Sequence, residues 1–272
     1  LTEGKMLRAR LLLWLAATRP GDAPFPRFEA AALIELLHLA SLLHDDVMDR
    51  ASLRRGHGSF NRRVGDSRAV WTGDLLLLKA IGIATDPEWG KAREQILLTL
   101  RDMIHGQMLE WMWSGRLDLP ETVYLQVLDA KTGSLFALAA QWGVTGFAGE
   151  EGSTSWRQWG LSLGRLFQLG DDCLDVWSPD SGKRQGQDWR EERMTLPTII
   201  LRERAPHAFQ ALVDAGVGAD PSAFFTRSIR DQLESSWSLH EARFLDMSHR
   251  LLNSRQREIF PLILDYLKQR RR

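Results

Sequence analysis

The 272-residue sequence has a single cysteine, Cys173, so a chain on its own can form no disulfide. That favours a reducing compartment, and a cytoplasmic protein is the expectation. Charge of one sign is also missing. The 35 Lys and Arg residues balance 35 Asp and Glu, so no global basic field draws the chain to nucleic acid. No run approaches the ~20 apolar residues that span a bilayer. Sustained apolar–polar alternation and Asn-Gly turns are absent, so strands are not required. There is no repeat of fixed period, and no Ser-His-Asp or Cys-His arrangement to supply a nucleophile. With 44% hydrophobic and 26% charged residues, what remains is a globular chain. Residues 6–18 imitate a secretory leader, with Arg8 and Arg10 before a short apolar run. That run is short and no disulfide-rich body follows, so an ordinary first helix is expected.

Apolar residues recur at helical spacing almost throughout. Within residues 28–49, Leu33, Leu36, Leu37, Ala40, Leu43 and Val47 step by three and four. Residues 103–112, 123–140, 161–176 and 229–252 behave alike. Breaks at 19–26, 146–153, 178–188 and 216–221 are rich in Gly, Pro, Asp or Ser. None is long enough to be a flexible interdomain linker. One all-α domain over residues 1–272 is expected.

Two acidic clusters stand out. Asp45 and Asp49 lie four residues apart at a predicted helix end and share a face, with His38 seven residues earlier on the same stripe. Asp46 is rotated by about 100° and can add a ligand from the flank. Gln168, Asp172 and Asp175 form a second stripe, with Asp171 beside it. Like charges at this spacing destabilise a helix, and a lone acidic run is ordinarily a solvated surface. Here each cluster follows an apolar stretch (36–43 and 161–169), and D-D-x-x-D occurs twice. Hard oxygen donors suit Mg²⁺, which binds through one or two carboxylates plus substrate phosphates. Two such groups facing one another across a bundle would hold several ions and leave a gap suited to a diphosphate.

Basic residues accompany the clusters. Arg54 and Arg55 follow the first at once, in R-A-S-L-R-R-G, and guanidinium forks bind phosphate. Alone, such a pair in a loop is ordinarily solvated. Lys131 and Thr132 fall inside a predicted helix, where a Lys beside an apolar face commonly snorkels. Lys183 lies in a Gly-bearing loop beyond Asp175, and Arg193 precedes T-L-P. Lys5 and Arg8 are one helical turn apart near the start. None is diagnostic by itself.

Their order is specific: G-K-M-L-R, H-L-A-S-L-L-H-D-D-V-M-D-R-A-S-L-R-R-G, K-T-G-S-L-F, F-Q-L-G-D-D-C-L-D, G-K-R-Q-G-Q-D and T-L-P. This resembles the trans-isoprenyl (polyprenyl) diphosphate synthases from Gly4 to about Pro197. The resemblance implies an all-α, isoprenoid synthase-like bundle around a deep central cavity, and a homodimer. It implies that Asp45, Asp46, Asp49, Asp171, Asp172 and Asp175 bind Mg²⁺ bridging an allylic diphosphate. Arg54, Lys131, Gln168 and Lys183 would hold that diphosphate, with Thr132 a further substrate contact. Lys5, Arg8, His38 and Arg55 would bind isopentenyl diphosphate. The implied reaction is ionisation, condensation and elimination, and a lipid product would bring the protein to a membrane surface. Ala9 in place of Pro, Arg193 in place of Lys, and Trp189 in place of a smaller aliphatic residue depart from the family pattern. None removes a metal ligand.

Ala40 and Ser41, five and four residues before Asp45, are small. By the family's logic small residues there leave the product tunnel open, giving geranylgeranyl or longer chains. Met108, Trp111, Met112 and Trp113 read as ordinary core, or as a floor that stops growth at geranylgeranyl. A geranylgeranyl-range product is expected. Three rivals fit less well. A class I terpene cyclase would carry an N-S-E-type second metal site. A ferritin-like di-metal protein could use Glu35 with His38 and Asp102 with His105, but leaves both D-D-x-x-D clusters unexplained. A non-catalytic subunit of a heteromeric synthase tends to lose an aspartate cluster, and this chain keeps both.

Overall fold

Helices carry most of the described residues in the computed structural model, which describes residues 6–18, 25–51, 53–54, 57–147, 153–177 and 186–269. In order they are α1 (Leu7–Thr18), α2 (Arg27–Met48), α3 (Phe60–Val64), α4 (Asp66–Ile83) and α5 (Ala92–Trp113). After α6 (Glu121–Leu128) comes a π-helical turn (Asp129–Gly133), then α7 (Ser134–Thr145) and α8 (Ser153–Trp177). The last are α9 (Gln187–Arg190), α10 (Leu196–Arg204), α11 (Pro206–Ala215), α12 (Arg227–Leu251) and α13 (Ser254–Gln269). The all-α expectation holds, with one addition. Between α2 and α3, β1 (Leu53–Arg54) pairs antiparallel with β2 (His57–Gly58) in a minimal hairpin. Among the described residues no helix is long and apolar enough to cross a membrane.

The chain divides into two compact units, Leu1–Asp102 with Ser134–Gly160, and Met103–Gly133 with Leu161–Arg272. In the first, α2 packs on α1, α4 and α7. Its buried Ala30, Leu33, Ile34, Leu37, Ala40 and Leu43 recur at the expected three-and-four spacing. Each fully buried Leu or Ile side chain contributes about 1.5–3 kcal/mol. The leader-like segment is α1, an ordinary helix whose Leu11, Leu12, Leu15 and Ala16 are buried. Gly143 lets α7 approach α1 closely, since a Cβ there would meet the Leu15 side chain at 2.7 Å and the Leu12 carbonyl at 2.9 Å. Trp89, Trp142 and Phe147 pack as an aromatic cluster, and the Trp142 indole N–H donates to Gln95 Oε1 at 2.6 Å.

In the second unit α12 buries Ile229, Leu233, Trp237, His240, Phe244 and Ser248 along one stripe. The T-L-P motif is a helix start. The Thr195 N–H donates to Thr198 Oγ1 at 3.0 Å, and Pro197 occupies the first turn of α10, where an N–H would have no partner anyway. Trp189, large for its position, is buried against Phe209, and its indole N–H donates to the Gly216 carbonyl at 3.0 Å.

Candidate active site

The first acidic cluster ends α2. Asp45 is half-buried, Asp46 is buried and Asp49 is exposed as the residue that closes the helix. The chain then turns sharply through Arg50, whose φ of 49° is left-handed. The turn is held from below. The Ala51 N–H donates to the Asp46 carbonyl at 2.9 Å, and Asn61 Nδ2 donates to that same carbonyl at 3.2 Å. The Ser59 hydroxyl donates to the Ala51 carbonyl at 2.6 Å. Further down α2, His38 is half-buried and its carbonyl accepts the Ser41 hydroxyl at 2.8 Å. Ala40 is fully enclosed, so its methyl group meets packed protein.

The second cluster lies on the last turns of α8. Asp171 and Asp175 are half-buried, while Asp172 is buried. Tyr124, from α6 and itself buried, donates its hydroxyl to Asp172 Oδ2 at 2.5 Å. Gln168 Nε2 donates to Asp172 Oδ1 at 2.8 Å, and Thr132 Oγ1 donates to Gln168 Oε1 at 3.2 Å. Burial pushes the Asp172 carboxyl well up from its ordinary range, and the negative charges of Asp188 and Asp171 push the same way. The bonds from Tyr124 and Gln168 oppose that. Burial, then the Asp172 charge, hold the Tyr124 phenol protonated and so available as a donor. Asp175 organises the chain beyond Gly186. Its two oxygens accept the N–H groups of Gln187 and Asp188, each at 3.0 Å, and its carbonyl accepts the Gly186 N–H at 2.7 Å.

Residues 123–140, expected as one helix, are interrupted by the π turn at Asp129–Gly133, which contains Lys131 and Thr132. Such turns recur at functional sites because they re-aim side chains. Lys131 Nζ pairs with Glu110 Oε2 of α5 at 2.5 Å, and Arg165 Nε donates to Asp129 Oδ1 at 2.9 Å. Gly106 makes room for the turn, because a Cβ there would stand 2.7 Å from the Lys131 nitrogen. Arg193, the substitute for Lys, reaches Asp188 Oδ1 at 3.2 Å and also pairs with Glu191.

Sequence reasoning did not single out Tyr124, Glu110 or Asp188. Asp188 stood within G-K-R-Q-G-Q-D and could have been counted. Tyr124 and Glu110 carried no local signal, since they act on residues of other elements. Lys5, Arg55 and Lys183 lie outside the described residues, and of Arg54 only the backbone, in β1, is described. Arg8 of α1 lays its guanidinium 4.6 Å from the centroid of the Phe136 ring.

The core reading of the Trp/Met helix is corrected. Met108, Trp111 and Met112 are 57%, 72% and 63% exposed, because they point away from the face on which α5 packs. The di-metal rival loses its ligands to structure. Glu35 accepts the Ala9 N–H at 3.1 Å, and Asp102 is held by Arg157 at 2.7 Å. Among the described residues no three His, Cys, Asp or Glu side chains converge to enclose a metal ion unaided. The carboxylates of the two clusters still fit Mg²⁺, which keeps several waters and takes substrate phosphates as ligands.

The chain matches the polyprenyl synthetase family over residues 1–223. It is similar to a geranylgeranyl diphosphate synthase of Methanosarcina mazei, 34% identical over 209 residues, covering 74% of this chain and 64% of that protein. The heptaprenyl diphosphate synthase component 2 of Geobacillus stearothermophilus is 30% identical over 253 residues, covering 90% of this chain and 79% of that one. Among solved structures, a Caulobacter crescentus polyprenyl synthase complexed with calcium and isoprenyl diphosphate superposes with a TM-score of 0.84. It is 28% identical, and the match covers 99% of this chain and 85% of that one.

Proposed function

This chain belongs to the polyprenyl synthetase family, and we propose that it joins isopentenyl diphosphate to an allylic diphosphate in a Mg²⁺-dependent condensation. The product is a trans-polyprenyl diphosphate of geranylgeranyl range, and inorganic diphosphate is released. The observation that carries this reading is Asp172, a carboxylate kept in a buried position and bonded on both oxygens. Burying such a group costs stability and favours its neutral form, and a cation beside it offsets that cost by favouring the ionised form. The calcium and isoprenyl diphosphate named for the Caulobacter crescentus protein support the same chemistry.

In this reading Asp45, Asp46, Asp49, Asp171, Asp172 and Asp175 hold Mg²⁺, which supplies positive charge to the departing phosphate oxygens. Lys131, aimed by Glu110, binds the allylic diphosphate together with Arg54, Thr132, Gln168 and Lys183. Lys5, Arg8, His38 and Arg55 bind isopentenyl diphosphate. The allylic C–O bond breaks, the isopentenyl double bond attacks the allylic cation, and a proton passes to the released diphosphate. The protein needs no nucleophile, because its contribution is fixed charge around a leaving group. Small, half-buried Ser41 beneath Asp45 supports a product longer than farnesyl, whereas Ala40 faces packed protein. The protein works as a homodimer, and the apolar stripe of α4 supports that (Discussion). A second reading, one component of a two-component synthase, is favoured by the name of the Geobacillus stearothermophilus relative.

The test is incubation of the purified chain with labelled isopentenyl diphosphate, Mg²⁺ and each allylic primer, followed by product sizing. Asp45→Asn is expected to lower turnover about a thousand-fold, some 4 kcal/mol of barrier. A near-normal rate in that variant would remove Asp45 from the metal site. No turnover by the wild-type chain alone would favour the two-component reading.

A further inference from the structure

We propose that Tyr124 is a positioning residue that braces Asp172 for the cation, an inference that rests on the functional reading above. Each carboxylate oxygen offers two acceptor positions. Tyr124 occupies one on Oδ2 at 2.5 Å and Gln168 occupies one on Oδ1 at 2.8 Å. The carboxylate plane is therefore fixed from two sides, and one acceptor position on each oxygen is left for a metal ion or its water. Thr132 removes the remaining freedom. By donating to Gln168 Oε1 at 3.2 Å it sets which end of the amide faces Asp172. The brace spans three elements, α6, the π turn and α8. Tyr124 is its anchor, being 3% exposed. Groups that orient a metal ligand from behind set its affinity, and their loss typically costs about 10–100-fold.

Tyr124→Phe keeps the ring and removes only the donor, leaving a buried acceptor without its partner. Binding of Mn²⁺ in the presence of inorganic diphosphate, followed by calorimetry on the folded variant, is expected to weaken at least about ten-fold. Equal affinity in wild type and variant overturns the brace alone. No Mn²⁺–diphosphate binding by the wild-type chain overturns the functional reading and the brace with it. A second measurement does not depend on the variant folding. The sequence has two tyrosines, Tyr124 and Tyr266, so fluorotyrosine labelling gives two ¹⁹F resonances, assigned with Tyr266→Phe. The Tyr124 resonance is expected to move on titration with Mg²⁺ and diphosphate while that of Tyr266 stays. A Tyr124 resonance that does not move at saturation overturns the proposal.

Discussion

Two buried titratable side chains of the second unit, Asp172 and His240, are shifted in opposite directions for the same reason: water is withheld from the charged form. Asp172 belongs to the candidate site, whereas His240 is a matter of stability. Burial, followed by the positive charges of Arg165 and Arg243, lowers the His240 pKa to about 4. In the unfolded chain a histidine titrates near 6.5. Between those values the unfolded state binds the extra proton, so stability is complete above about pH 6.5 and falls as pH falls towards 4. The loss is expected to be about 2 kcal/mol at pH 5, and up to about 3 kcal/mol below pH 4. Urea denaturation at pH 7 and pH 5 reads it directly. His240→Gln should flatten the difference, and an equally steep loss in that variant would assign the acid sensitivity to other groups.

At the scale of an element, the π turn at Asp129–Gly133 decides where Lys131 points. Apolar spacing over residues 123–140 suggested a single helix, because one extra residue in one turn barely disturbs a three-and-four pattern. The break is sustained by tertiary contacts: Lys131 with Glu110, Asp129 with Arg165, and the absence of a side chain at Gly106. Gly106→Ala would put a Cβ 2.7 Å from the Lys131 nitrogen and 2.9 Å from Ala130 Cβ. Backbone cannot yield as a flexible side chain would, so a cost of about 1–3 kcal/mol is expected. Turnover should fall along with stability, since the Lys131 turn is displaced. Unchanged urea midpoint and unchanged turnover would show that the turn tolerates the methyl group.

For the molecule as a whole, α4 is apolar on two sides. Ala69, Gly73 and Ala80 are buried on the side that packs within the first unit. Trp71, Leu75 and Leu78, spaced by four and three, are 68%, 55% and 66% exposed. A stripe of large apolar residues left to water is a marker of association, and a second copy of the chain would cover it. Sedimentation velocity at micromolar concentration is expected to show a dimer for the wild type and a monomer for Trp71→Glu with Leu78→Glu. A dimer that survives both substitutions would place the interface elsewhere.

The sequence by itself determined the helical class and the two D-D-x-x-D clusters at helix ends, because each depends on residues within a few turns of one another. The family followed from the order of those motifs. Only the tertiary structure decided that Asp172 is braced by a tyrosine 48 residues away, and that Lys131 is paired with Glu110, 21 residues away. It also decided that Ala40 is enclosed, that Trp111 is exposed, and that Trp189 finds room beside Phe209. Periodicity tells which face of a helix is apolar, but not whether another element covers it. Spacing brings carboxylates together, but the donors that orient them come from elsewhere in the chain.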